Sequence, residues 1–151
     1  MRGDATGLAL ALFVLVVACA VEEAVPKAAG IGVPALLSFA IVFALRRPPL
    51  EGALFALAAG FAEDSLSSMP FASCALFFTL AAAFFRWRKL PLAFAVPVYC
   101  AFQIWLWMWF GARLRGNVFS RTLVALPIGA LTLFAAHVFL AWLDRKAAVD
   151  E

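Results

Sequence analysis

Long apolar stretches separated by short polar breaks run along the whole chain. None of these stretches has the strict alternation of polar and apolar residues that is typical of a membrane β-barrel strand. Backbone groups in contact with lipid must be hydrogen-bonded within their own segment, and a helix satisfies that requirement. The pattern therefore predicts six apolar helices, at about residues 8–21, 31–45, 52–69, 70–86, 90–111 and 122–143.

The composition predicts that these helices lie in a bilayer. The chain has 151 residues, of which 66% are hydrophobic and 14% are charged. Soluble domains are closer to half apolar and about a quarter charged, and a globule of this size could not hide so much apolar surface from water. We predict an all-α integral membrane protein, with residues 1–151 forming one compact bundle of six transmembrane helices. A soluble enzyme and a nucleic-acid-binding module are excluded.

The lengths and flanking charges of the segments predict how they cross the membrane. A span needs about 20 helical residues. The first, second and fourth segments are short, so they recruit flanking residues, thin the bilayer or lie within the bundle. Eight of the 12 Lys and Arg residues then share a side with both termini, which predicts that the termini are cytoplasmic. Cys19 ends a stretch that is similar to a lipoprotein processing site, but we expect the first helix to be retained.

A stripe of small residues along the third segment ends in a carboxylate. Gly52, Ala56, Gly60 and Asp64 recur every four residues, and small residues allow close helix packing in lipid. A charged group at mid-bilayer costs at least ~2.5–3.5 kcal/mol, so ionisable residues there usually face protein or water. Asp64 continues the stripe, whereas Glu63 points about 100° away from it. Asp64 is therefore predicted to be the inward, structure-setting carboxylate.

The surroundings of Glu63 and Asp64 predict a bend between the third and fourth helices. A helix from Gly52 reaches this pair after only about 16 Å, so we expect the pair to lie in a buried, non-helical elbow. The alternative is that the two carboxylates simply mark the outer end of the third helix. Pro70 is predicted in the first turn of the fourth helix, where its missing N–H costs little.

The remaining polar residues indicate structural roles. Gln103 is predicted to hydrogen-bond between helices, and His137 is more readily a buried interhelical partner than a proton carrier. Cys19, Cys74 and Cys100 are far apart and lack a metal-ligand spacing, which favours packing roles. We recognise no nucleotide-binding or hydrolase motif. The sequence therefore predicts a protein without enzymatic activity, cofactor or metal.

The segment from Val33 to Lys89 resembles the MreD family of small rod-shape-determining membrane proteins. That family has an early proline, a glycine-rich helix ending in Gly-Leu-x-x-Asp, a polar elbow and then Pro-Leu-Gly. Gly60, Phe61 and Asp64 occupy the Gly-Leu-x-x-Asp positions, with Phe in place of Leu. The other matches are Pro34 for the early proline, residues 51–60 for the glycine-rich helix, and Pro70, Phe71 and Ala72 for Pro-Leu-Gly. Ala72 thus departs from the family glycine.

The resemblance implies a scaffold in the bacterial cytoplasmic membrane. MreD-like proteins belong to the elongation machinery that directs peptidoglycan synthesis and rod cell shape. The implied partners are the single-span MreC, the actin-like MreB, RodA and a class B penicillin-binding protein. The third and fourth helices would then support a surface that receives another protein's transmembrane helix.

Two other functions stay open. The architecture is similar to that of the substrate-binding S-components of energy-coupling-factor transporters, which would make the chain a binder of a vitamin-like small molecule. Such a binder should enclose a polar-lined pocket near the outer face of the membrane. A compact lipid-processing enzyme is the third possibility, but it lacks any recognisable set of catalytic residues.

Overall fold

Six α-helices make up the regular structure in the part of the chain that the computed structural model describes, residues 2–24, 34–67, 72–88, 95–110 and 118–149. This confirms the predicted all-α class and the predicted number of helices within those residues. The helices are α1 (Arg2–Ala24), α2 (Ala35–Arg46), α3 (Pro49–Ser67), α4 (Ser73–Arg88), α5 (Ala95–Phe110) and α6 (Val118–Val149).

The ends of α1 and α6 differ from the predicted ones because these two helices continue past their apolar centres into polar flanks. α1 has 23 residues and α6 has 32, so both are much longer than their apolar segments. The segments Gly7–Ala24 and Leu126–Lys146 are long and apolar enough to cross a membrane. Among the described residues these two helices alone meet that criterion, and α2 is apolar but shorter.

The shortest helix, α2, lies at the centre of the fold. Its 12 residues measure about 18 Å, and it packs against α1, α3, α4 and α6. Every residue from Ala35 to Ala44 is buried. A helix so enclosed is covered by protein on all sides, which agrees with the expectation that a short segment lies within the bundle.

Polar contacts and prolines define both ends of α2. At its start, Glu22 at the end of α1 accepts a hydrogen bond from the Leu36 N–H, with 3.0 Å between the Oε2 and N atoms. At its end, Arg47 has extended backbone angles, because a residue that precedes a proline is disfavoured in the helical conformation. Pro49 is then the first residue of α3, a position that tolerates its missing N–H.

A buried hydroxyl cluster joins α2, α5 and α6. Ser38 hydrogen-bonds to the Tyr99 hydroxyl, and its Oγ lies 2.9 Å from Thr132 Oγ1. The Tyr99 ring packs directly on Gly129, where an added Cβ would lie 3.0 Å from the ring. The cluster gives each hydroxyl a partner away from water, which a buried polar group requires.

Charged residues join the opposite end of α2 to α4 and α6. Asp144 of α6 pairs with Arg46 at 2.8 Å and with Arg47 at 2.6 Å. Arg86 of α4 donates to the carbonyl oxygens of Ala44 and Arg47, which are among those left unpaired at the end of α2. We call this end of the fold the basic end.

Candidate functional site

The small residues of α3 and Asp64 all lie on buried positions of that helix. Gly52 approaches α2, where an added Cβ would lie 2.8 Å from the Ala44 Cα. Ala56 is fully buried, and Asp64 is 6% exposed. The stripe therefore faces neighbouring helices along its length.

Gly60 is a point of close approach between α3 and α4. An added Cβ would lie 2.3 Å from the Ala75 Cα and 2.7 Å from the Cys74 carbonyl carbon. Both are backbone atoms, so no side-chain movement could make room for it. The missing side chain at Gly60 is what allows the first turn of α4 to lie against α3.

Asp64 caps the amino terminus of α4. Its Oδ1 accepts hydrogen bonds from the Cys74 N–H at 2.8 Å and from the Ser73 hydroxyl at 3.0 Å. Its Oδ2 accepts a longer bond from the Ala75 N–H, at 3.4 Å. The first N–H groups of a helix have no partner within the helix, and a negative charge is favourable there. A carboxylate from α3 thus satisfies the start of α4.

The expected non-helical elbow around Glu63 and Asp64 is wrong. Both residues lie inside α3, which begins earlier than predicted and continues to Ser67. The helix starts at Pro49 rather than Gly52, so the carboxylates come about 4.5 Å further along it than the sequence implied.

Glu63 and Asp64 are both buried, although they point in directions about 100° apart. Glu63 is 7% exposed and Asp64 is 6% exposed. The reason is that α3 packs against α1, α2 and α4, so neighbouring helices cover more than one of its faces. Burial therefore does not distinguish Asp64, the predicted inward carboxylate, from Glu63.

The other predicted site residues lie apart from Asp64 or outside the described part of the chain. α4 begins at Ser73 and not at Pro70, and Pro70 itself lies outside the described residues, as does the side chain of Gln103 on α5. His137 lies at the basic end, where its Nε2 is 3.5 Å from the Arg46 Nη2. The structure therefore does not bring His137 together with Asp64.

Sequence reasoning missed Glu22, Ser73 and the hydroxyl cluster. Glu22 and Asp64 have the same role, since each stands near the end of one helix and caps the start of the next. The available signal was an acidic residue at the end of an apolar segment followed by another apolar segment. The hydroxyl cluster had no such signal, because Tyr99 and Thr132 lie 61 and 94 positions along the chain from Ser38.

Ala72 has the backbone conformation that favours glycine. Its φ is +66°, which for a residue with a Cβ costs roughly 1–2 kcal/mol. Ala72→Gly should therefore raise the free energy of unfolding by about 1 kcal/mol, less any loss from the greater freedom of glycine in the unfolded chain. The measurement is thermal unfolding in detergent, with Gly7→Ala as a control for glycine–alanine exchange within a helix. An unchanged or lowered melting temperature for Ala72→Gly would contradict the expectation.

The geometry describes a structural carboxylate. Both oxygens of Asp64 accept hydrogen bonds from α4, so the carboxylate holds two helices together. Within the described ranges, no group of three or more His, Cys, Asp or Glu residues could hold a metal ion. No family model matches this chain, and neither a curated protein nor a solved structure is significantly similar to it.

Proposed function

We propose that this chain is a membrane scaffold of the MreD type, which binds an MreC-like single-span protein and helps direct peptidoglycan synthesis and rod cell shape. The observation that carries the proposal is the contact between α3 and the start of α4. Gly60 and Asp64 match the MreD motif and Ala72 stands at the position of its second glycine, and all three lie where α3 meets the start of α4.

Each of these three positions has a physical reason to carry the residue type of that motif. Gly60 lies against the backbone of α4, and Asp64 caps the same helix. Ala72 has a positive φ at the position where the family has glycine. The residues of Gly-Leu-x-x-Asp and Pro-Leu-Gly would therefore suit these three positions, and the positive φ at position 72 agrees with the resemblance although Ala72 itself departs from it.

The proposal includes six membrane-spanning helices in the bacterial cytoplasmic membrane, with both termini in the cytoplasm. Its support is the basic end, where Arg46 and Arg47 pair with Asp144 of α6 and Arg86 donates to the Ala44 carbonyl oxygen of α2. The contacts place the cation-rich ends of α2, α4 and α6 on one side of the fold. Such a concentration of Lys and Arg is typical of a cytoplasmic face.

The role proposed for Asp64 is to shape a surface rather than to take part in a reaction. Its contacts to Ser73, Cys74 and Ala75 hold α3 and α4 in a fixed register. On the outer faces of these two helices, Leu54 is 56% exposed and Leu80 is 60% exposed. We place the transmembrane helix of the MreC-like partner against these faces, where close packing provides the affinity.

The test is capture of the partner in a co-expression experiment. The full chain carries an affinity tag and is co-expressed with the MreC-like protein of the same genome, and an unrelated single-span protein serves as the negative control. The double variant Leu76→Ala, Leu80→Ala on α4 is expected to lower capture on the order of tenfold, equivalent to a loss of ~1.4 kcal/mol. The matched control is Leu123→Ala, Leu131→Ala on α6, whose side chains are similarly exposed.

Three results would argue against the scaffold. The first is elution of the wild-type chain without the MreC-like protein, and the second is equal capture by the two double variants. The third is an unchanged shape of rod cells after deletion of the gene. If the chain instead binds a vitamin-like molecule, that ligand should raise the melting temperature of the purified chain. The same preparation can be used for this measurement.

A further inference from the structure

An apolar groove lies at the basic end between the last turn of α2, the start of α3 and the end of α4. Its volume is about 250 Å³, and its walls are almost wholly apolar. The small side chains of four alanines leave this space open. The residues that line it include Ala44, Ala53, Ala82, Ala83, Arg86 and Trp87.

Arginines of α4 lie at and beside the groove. Arg86 lines it and is held in place by hydrogen bonds to the carbonyl oxygens of α2. Arg88 lies over the Trp87 ring, with 4.9 Å between the guanidinium carbon and the ring centre. The ion pairs among the described residues both belong to Asp144, which neutralises part of the charge of Arg46 and Arg47. Arg86 and Arg88 have no carboxylate partner within that described set.

The position of Trp87 indicates the depth of the groove in the membrane. Its side chain is 77% exposed, and it lies one turn nearer the end of α4 than Ala83. Exposed tryptophans beside arginines are typical of the level of the lipid headgroups. The alanine walls then lie at the level of the first methylene groups, and the arginines at the level of the phosphates.

We propose that the groove binds one acyl chain of an anionic phospholipid, whose phosphate lies against Arg86 and Arg88. This inference rests on the membrane location in the proposed function and on nothing else in it. The alanine-lined space accepts a narrow flexible chain, and guanidinium groups suit phosphate oxygens because they present several donors in one plane. Charge complementarity selects an anionic lipid over a zwitterionic one with the same chains.

The test is lipid binding to the purified, delipidated full chain, followed by native mass spectrometry. The probes are phosphatidylglycerol and phosphatidylcholine with identical acyl chains, and glycerol phosphate as a headgroup without chains. We expect phosphatidylglycerol to bind more tightly than phosphatidylcholine. Arg88→Gln should reduce that preference about fivefold, equivalent to the ~1 kcal/mol of one cation near an anionic surface.

A second variant tests the groove itself. Ala83 is exposed at the rim of the groove, so Ala83→Phe fills the space without disturbing the core. Displacing even two methylene groups should weaken phosphatidylglycerol binding on the order of tenfold. The matched control is Ala135→Phe, which adds the same ring at an exposed position of α6.

The possible outcomes separate this inference from the scaffold. Equal binding by Ala83→Phe and Ala135→Phe, equal binding of the two phospholipids, or full competition by glycerol phosphate would each overturn the acyl-chain site. The assay contains no MreC-like protein, so lipid selectivity without partner capture would refute only the scaffold. Partner capture without lipid selectivity would refute only the groove, and a chain that stays in the aqueous fraction of lysed cells would refute both.

Discussion

Of the glycine-to-alanine replacements at the described glycines, Gly60→Ala is expected to destabilise the protein most. The new Cβ would lie 2.3 Å from the Ala75 Cα and 2.5 Å from the Ala75 nitrogen. These atoms belong to the backbone of α4, so the two helices must separate. Forced overpacking typically costs 1–3 kcal/mol and sometimes more, and we expect a loss of about 3 kcal/mol or more in the free energy of unfolding.

Two other described glycines, Gly7 and Gly52, provide graded controls for Gly60→Ala. Gly7 has nothing within 4 Å of an added Cβ, and alanine is the better helix former by about 1 kcal/mol. Gly7→Ala should therefore leave stability unchanged or raise it. Gly52→Ala should fall between the two, since its Cβ would lie 2.8 Å from the Ala44 Cα.

Thermal unfolding in detergent, combined with the fraction of monodisperse protein on size-exclusion chromatography, measures this series. The expected order of stability is Gly7→Ala, then Gly52→Ala, then Gly60→Ala. A Gly60→Ala protein as stable as Gly7→Ala would show that α3 and α4 do not make this contact. Adding Ala75→Gly should fail to rescue Gly60→Ala, because the clash is with the backbone at position 75 and not with its methyl group.

Replacing Asp64 with alanine should produce the second largest loss of stability. The change removes the acceptor of the Cys74 N–H and of the Ser73 hydroxyl, and both residues are buried. A lost helix cap costs about 1 kcal/mol, and a buried donor left without a partner costs about 1–3 kcal/mol. We expect a total loss of about 3 kcal/mol and fraying at the start of α4.

The conservative variant Asp64→Asn separates hydrogen bonding from charge. Asparagine retains one oxygen that can accept from the Cys74 N–H, but it removes the negative charge at the start of α4. Its loss should be about half that of Asp64→Ala. Ser65→Ala is the matched control, because Ser65 is exposed and its hydroxyl bonds to the Phe61 carbonyl oxygen within α3.

Amide hydrogen exchange locates the effect of these Asp64 variants. Faster exchange at Cys74 and Ala75 in Asp64→Ala, with little change in Ser65→Ala, would agree with the cap. Uniform exchange across α4 in all three variants would contradict it. Partner capture by Asp64→Asn then reports whether a weakened contact between α3 and α4 still supports the proposed surface for the MreC-like protein.

Helical class, helix number and the inward direction of Asp64 could be read from the chain because they depend on local pattern. The length of an apolar stretch and the spacing of small residues every four positions along it both depend only on residues that are close in sequence. The same pattern placed helix ends poorly, because polar flanks such as Asp144 continue α6 beyond its apolar centre. Helix ends depend on capping partners, and those come from elsewhere.

Three contacts could be identified only from the folded structure. They are the cap of α4 by Asp64, the cap of α2 by Glu22 and the pairing of Asp144 with two arginines. The residues of the last pairing lie almost 100 positions apart, at separations of 97 and 98. Hydropathy indicates that such groups need partners away from lipid, since an unpaired charge there is costly. It does not indicate which partner, because that choice depends on how closely helices approach, and at Gly60 the approach is set by the absence of a single side chain.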